Sequence, residues 1–446
     1  MSSGAFSAAA EVTGRFQKLR EKLHPVLIAI FLLLPWFTVG GEPVLLLDFF
    51  SRRFIIFGVS FFSHDMPLLF YLLILVILAI FLVTALFGRI WCGWSCPQTV
   101  FIHGLFDKIE KALLGPFAKR RALMAAPDST QKTLRLLGLY LCFLAACWLL
   151  SHSLAAYFVG ADRVLLYISE GPARHLQSFA ALGILTLLLF FNFAFFREKL
   201  CSQICPYGRF QNALIDNHSL VVQYNSAIGE PRGKATAELR GNCIDCRRCV
   251  TVCPVKIDIR DGFQFDCIAC GKCIDACNDV MKKAKQPENL ISYEAGSGKK
   301  LDFLRFRVGL YAGLILIFAA TFAVSLKNRT AVEFSISRAV AVPFQIRIEG
   351  GSRILQNQLK LHLKNMSGQV LEVDVALAPD DLAAGFRFLT PAEHIRLNPG
   401  EDIQVPGFVE IPEVQYFSTG KTFKIVLQPG SSQPAIVRSL GMIRAD

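Results

Sequence analysis

Two stretches, CIDCRRCVTVCP at residues 243–254 and CIACGKCIDACN at residues 267–278, repeat one cysteine spacing. Each reads C-x2-C-x2-C-x3-C, the run by which bacterial ferredoxins hold iron–sulfur cubanes, with the fourth cysteine of each run crossing to the other cluster. The spacing therefore predicts one [4Fe-4S] cluster on Cys243, Cys246, Cys249 and Cys277, and a second on Cys267, Cys270, Cys273 and Cys253. A zinc site needs only four ligands, and a disulfide framework would not repeat this spacing. The second run has Asn278 where Pro254 closes the first, a change that leaves the thiols intact.

Around this module the chain is too apolar for a soluble protein: 53% of its 446 residues are hydrophobic and the mean hydropathy is positive. Apolar stretches of spanning length or near it occur at Pro25–Val39, Pro67–Phe87, Leu134–Leu154, Leu176–Phe196 and Val308–Leu326, which predicts five spans. The stretch from Pro43 to Phe62 is interrupted by Asp48, Arg52 and Arg53 and is expected to lie in the interface or pack on the bundle. Lys and Arg number 4, 2, 8, 2 and 18 in the successive segments between spans. That alternation is expected to place the N-terminus, the 88–135 loop and the ferredoxin module in the cytoplasm, with residues 327–446 outside. Because 13 basic and 12 acidic residues nearly cancel in that last segment, the net charge of +12 is a topology signal and argues against nucleic-acid binding. All 14 cysteines precede residue 278, on the reducing side. No A-x-A cleavage site follows the first apolar run, so that run is expected to stay as an anchor.

An offset of 109 residues lays Cys92 on Cys201, Cys96 on Cys205, Pro97 on Pro206, Phe101 on Phe210 and Asp107 on Asp216 without a gap. Spans one to four thus form two helical hairpins in parallel repeat, each ending in C-x3-C-P and an amphipathic stretch. Val100, Phe101, Leu105, Phe106 and Ile109 oppose Asp107, Lys108, Glu110 and Lys111, which predicts a helix lying along the membrane surface. A proline after the second cysteine suits the first helical position and puts Cys96 and Cys205 at N-caps, where a thiolate is favoured; Arg89, Arg197 and Lys199 would act the same way. The four cysteines are candidates for a redox or copper site: they could hold Cu(I), ligate a further cluster, cycle to disulfides, or only pack the repeat interface. His64, His152 and His175 fall near outer span ends, where copper or haem ligation is weighed against ordinary interfacial roles. His24 and His103, on the cytoplasmic side, are weaker candidates, and Cys142 and Cys147 read as core residues of the third span. Gly296–Lys299 lacks the rest of a phosphate loop and reads as linker.

The expected organisation is a cytoplasmic segment 1–24, a four-span domain 25–220, a linker 221–240, the ferredoxin module 241–285 of α+β type, a linker 286–303, a fifth span 304–326 and an immunoglobulin-like β-sandwich 327–446. The sandwich rests on alternating segments at Phe344–Ile348, Gln358–Leu363, Val370–Leu377, His394–Leu397, Ile403–Ile411 and Thr422–Val426, separated by Gly350-Gly351, Pro379-Asp380 and Pro399-Gly400.

CGWSCP at 92–97, CSQICP at 201–206, the double cluster motif, a fifth span and a β-sandwich tail together resemble the CcoG family, also called FixG or RdxA. The resemblance covers nearly the whole chain, and Trp91–Gln98 is its most telling stretch. Membrane ferredoxins of the NapH and NosR types share the C-x3-C-P elements, but the tail favours CcoG. The resemblance implies a membrane-bound electron-transfer protein that reduces Cu(II) to Cu(I) during assembly of cbb-type haem-copper oxidase, serving copper chaperones and a copper-exporting ATPase. Two other readings stay open: an electron relay from quinol or a cytoplasmic donor to a partner reductase, and an assembly scaffold whose clusters sense redox state.

Overall fold

The fold is that of a computed structural model describing residues 9–61, 65–233, 241–295, 302–303, 305–327, 329–338, 344–349, 351–367, 369–391, 393–398, 400–416, 422–429 and 435–443. The chain divides into two compact units, Met1–Ser51 with Leu69–Phe322, and Arg52–Leu68 with Ala323–Asp446.

Among the described residues, four helices are long and apolar enough to cross a membrane: Met66–Phe87, Thr130–Val159, Leu176–Phe196 and Phe306–Lys327. Their faces are largely unburied within the protein, as lipid-facing helices require. The span expected at Pro25–Val39 takes another form. Its residues form the second half of a helix from Arg15 to Leu33 that is charged in its first half and gives way to a 3-10 turn at Leu34–Trp36. The expected cytoplasmic segment 1–24 is therefore not separate, since helix Arg15–Leu33 begins inside it and docks on the ferredoxin module. The Asp275 carboxylate accepts from Phe16 N at 3.2 Å and Gln17 N at 2.7 Å, capping this helix from a distant part of the chain. Phe16 stacks edge-on against Tyr293 at 5.2 Å and Trp94 at 6.2 Å.

Both expected linkers contain structure. Leu220–Tyr224 pairs antiparallel with Ile291–Ala295, and Val222, Tyr224, Leu290 and Ile291 enter the core that surrounds the cluster cysteines. The alternation in these five-residue strands is too short to stand out, and a strand from each side of the module is needed to make the pair. The segment after Cys96 is likewise not a surface helix. Pro97–Phe101, a π-turn Ile102–Phe106 and Asp107–Leu114 run on from one another, and Phe101, Ile102, Phe106 and Leu114 pack on Leu139, Phe143 and Cys147 of the third span. On its polar side Lys108 and Lys111 stay exposed, but Glu110 is 1% exposed and lies 2.9 Å from Arg197 and 3.3 Å from Arg120.

The second unit is a two-sheet antiparallel sandwich. One sheet runs Arg387–Leu389, Asp402–Pro412, Ser352–Asn365, Val332–Arg338, with Phe344–Glu349 also on Ser352–Asn365; the other runs His394–Leu397, Leu371–Leu377, Thr422–Pro429, Ile436–Gly441. Alternation drives it: Val373, Val375, Phe423, Ile425 and Leu427 point into the core opposite Leu359, Leu361 and Leu363. The strand expected at Gln358–Leu363 is 14 residues long because its two halves pair with different neighbours. Strands Val332–Arg338, Arg387–Leu389 and Ile436–Gly441 were not expected; the first follows directly on a span and the last two lie at sheet edges.

Asp65, just before helix Met66–Phe87, is buried and receives Arg329 Nη2 at 2.7 Å and Nε at 3.0 Å, while Arg329 also donates to Ser60 O and covers the Phe61 ring. Removing one partner of such a pair leaves a buried charge, at about 3–5 kcal/mol. Arg329→Met is expected to lower the calorimetric transition of the sandwich in the full chain by more than about 10 °C, and an unchanged transition would show that the pair is not what anchors it.

Candidate functional site

The ferredoxin module is wound around its cysteines. Between ligands, Asp245, Arg247 and Ala269 adopt positive φ, the backbone reversal that lets successive thiols turn to a common centre. Cys273 and Cys277 lie one turn apart on helix Lys272–Lys283, and Cys249 sits on the short helix Arg248–Thr251. Arg260 clamps the first loop, with Nη1 2.5 Å from Asp245 and Nε 2.8 Å from Asp258.

Cys277 lies within electrostatic reach of Cys249, Cys246 and Cys243, Cys267 within reach of Cys270 and Cys253, and Cys273 within reach of Cys270, Cys267, Cys253 and Cys249. Among the described residues no three cysteine, histidine or acidic side chains converge closely enough for a single metal ion. Two foursomes of thiols, near one another but not on one point, fit cubanes. Cys243, Cys246, Cys249 and Cys277 would hold one, and Cys267, Cys270, Cys273 and Cys253 the other. A closed apolar void of about 20 Å³ lies between Cys249, Cys253, Cys267, Cys270 and Cys273.

The C-x3-C-P elements meet at this module. Cys96 and Cys205 are N-caps with proline at the next position, as the sequence predicts. Cys92 sits on helix Ile90–Trp94 and Cys201 on a π-turn, Leu200–Ile204, so the repeat is kept in residue register and varied in backbone. All four sulfurs are within electrostatic reach: Cys201 interacts with Cys96, Cys92 and Cys205. Cys92 also packs with Ile268 and Cys270 in one small buried cluster. This close approach depends on Gly93, where a Cβ would lie 2.4 Å from Ile268 O and 2.9 Å from Cys270 N. Trp94 Nε1 donates to Ala269 O at 3.2 Å, Tyr293 OH donates to the same carbonyl at 2.5 Å, and the buried Arg89 donates to Phe265 O. The loop carrying Cys267 and Cys270 is thus fastened by Arg89, Trp94 and Tyr293, none of which the spacing argument singles out. Gln211, held by Tyr207 OH at 2.9 Å, accepts from Cys92 Sγ at 3.0 Å.

Cys92, Cys96 and Cys201 are not activated. Amides of Gln98 and Thr99 bond to Cys96, and Arg89 acts on Cys92 and Cys96, all favouring thiolate. Burial outweighs them, raising Cys92 and Cys96 above the usual thiol range and Cys201 to about 12. Arg197 gives no help, being held by Asp107, Glu110 and Glu198.

The histidines divide unexpectedly. His152 Nδ1 lies 2.8 Å from Trp148 O and His175 Nε2 lies 2.6 Å from Glu170, so both have local partners. His64 and Gly296–Lys299 lie outside the described residues. His24 and His103 are the buried ones, and burial lowers both to about 3.

Geometry and sequence together define a membrane iron–sulfur electron-transfer protein. Residues 196–296 match the model described as a 4Fe-4S dicluster domain, residues 69–116 a 4Fe-4S binding domain, and residues 322–439 the IG-like fold at the C-terminus of FixG. The chain is 34% identical to protein RdxA of Cereibacter sphaeroides over 84% of its own length and 82% of the relative's. It is 35% identical to nitrogen fixation protein FixG of Rhizobium meliloti over 63% of itself and 55% of that protein, and 29% identical to protein RdxB of Cereibacter sphaeroides over 83% and 82%. The chain belongs to the FixG/RdxA family.

Two outcomes follow from this geometry. Gly93→Ala is expected to displace the Cys267–Cys270 loop, lowering iron from about eight per chain toward about four; iron and sulfide assay with EPR would read it, and full retention would show that the loop tolerates the shift. In metal-free protein, iodoacetamide labelling of Cys96 and Cys201 should rise about tenfold per pH unit from pH 7 to 9 without a plateau, whereas a plateau near pH 7 would restore the activated thiol.

Proposed function

We propose that this protein reduces Cu(II) to Cu(I) at the Cys92, Cys96, Cys201 and Cys205 pocket, serving copper delivery to a cbb-type haem-copper oxidase. The observation that carries the reading is the shared burial of Cys92 with Cys270, which brings the first C-x3-C-P element against the second cluster's ligand loop. The clusters, when bound, supply single electrons, which is what Cu(II) to Cu(I) requires.

The rest is done by the chain's own side chains. Thiolate sulfur prefers the cuprous ion, so the pocket draws the reduced product and biases the couple toward Cu(I). Copper displaces the thiol protons, and Arg89 beside Cys92 offsets part of the negative charge that results. Gln211 orients Cys92 without competing as a ligand, since an amide oxygen is a poor partner for Cu(I). Chemistry then stays on the inner face, because a hydrocarbon core of ~30 Å is wide for one electron step. On this reading the ferredoxin module faces the cytoplasm of the inner membrane and the sandwich the periplasm, with copper chaperones, a copper-exporting ATPase and oxidase assembly factors as partners.

Anaerobic, pre-reduced protein given Cu(II) should release Cu(I) to a chromogenic chelator in step with bleaching of cluster absorbance. Cys92→Ser with Cys205→Ser should lower that rate more than tenfold while cluster absorbance is kept; an unchanged rate would remove the pocket from the reaction.

A further inference from the structure

On the other side of the second cluster's helix, Arg20 is 1% exposed, and none of its Nε, Nη1 and Nη2 atoms has a hydrogen-bond partner among the described residues. His24 Nε2 and His103 Nε2 are buried and unpartnered beside it. An ion removed from water without partners costs several kcal/mol, so a folded chain does not keep such a group empty-handed. The nearby carboxylates are committed elsewhere. Asp275 caps Phe16 and Gln17, Glu21 accepts from Gln17 Nε2 at 2.8 Å, and Asp107 is held by Arg197 and by His103 Nδ1 at 2.6 Å. Arg20, Lys108 and Lys272 all bear on His24, with Asp107 as the opposing charge.

Two neighbouring cavities hold these groups. A small chamber of about 10 Å³ lined by Arg20, His24, His103 and Gly104 shares His103 and Lys108 with a cleft of about 270 Å³, which Lys272, Lys111 and Arg120 line together with Glu11, Glu21 and Asp107. Glu11 in turn pairs with Lys111 at 3.6 Å and Arg120 at 3.8 Å. The chamber exists because Gly104, in the π-turn, lets the backbone lie against His24: a Cβ there would be 2.9 Å from His24 Cβ. The chamber alone has room for a water, which neutralises no charge.

We propose that this cleft binds a phosphate group, with Lys108 and Lys272 facing its ionised oxygens and Arg20 reaching them through the water in the adjoining chamber. His103 gives Nδ1–H to Asp107, so its Nε2 is an acceptor, matched by a P–OH of hydrogen phosphate. The phosphate is either the free inorganic ion or the headgroup of a phospholipid, both available to a cleft at the foot of membrane helices. The site is distinct from the thiol pocket, and its test does not depend on copper chemistry.

Full-length protein with its clusters, washed in detergent, would be quenched and its extract examined by 31P NMR, and the washed protein titrated with inorganic phosphate by calorimetry. About one equivalent of phosphorus per chain, or saturable binding of phosphate, is expected, and the resonance separates phospholipid from the inorganic ion. Arg20→Met should weaken phosphate binding at least tenfold, or lose the retained phosphorus, with cluster absorbance unchanged; Arg20→Lys should recover part of it should the first variant fold poorly. No phosphorus and no titration would overturn the site, as would an Arg20→Met variant that binds as well as the parent.

Discussion

The ferredoxin module of this protein depends on one approach, that of the Ile90–Trp94 turn to the Ile268–Cys270 loop. Backbone meets backbone at Gly93, and the contact is sealed by Arg89, Trp94 and Tyr293 bonding to loop carbonyls. A ferredoxin module free in solution would present that loop to water. Here the membrane domain covers it, and the cover carries thiols. The same approach desolvates Cys92 and Cys96, so proximity to the cluster and loss of thiolate character have one cause.

The second constraint is charge. Asp107, Glu110, Arg197 and Arg120 form a buried chain of ion pairs where the two repeats meet, with Arg197 from the second repeat held by two acids of the first. Breaking one partner would strand the others, which makes this set a register device for the repeats more than a source of net stability. Arg305 does a similar task at the base of the last span, bonding Asp216 and Ala85 O. In the helix Arg15–Leu33, by contrast, Arg20 has no carboxylate, and that difference is what marks its cleft as a place for a ligand.

The residues themselves settled much. Thiol spacing pointed to the double-cluster domain that residues 196–296 match, because a cubane imposes its spacing locally on a loop of a dozen residues. Hydropathy found four helices of spanning length, since lipid leaves the chain no other way to satisfy its backbone. Proline at 97 and 206 placed Cys96 and Cys205 at helix starts, and alternation found six strands of the sandwich. What required the tertiary structure were quantities that depend on neighbours far away in sequence. The raised thiol pKa values come from burial under residues of another segment, and Glu110, charged and on the polar face of an amphipathic stretch, is buried because Arg197 and Arg120 come to it. The strands in the two supposed linkers pair across 70 residues, and the unpartnered Arg20 is unremarkable until helix Arg15–Leu33 is seen packed against Lys272 and His103. Local chemistry is written in spacing and period, whereas desolvation and charge pairing exist only once distant segments meet.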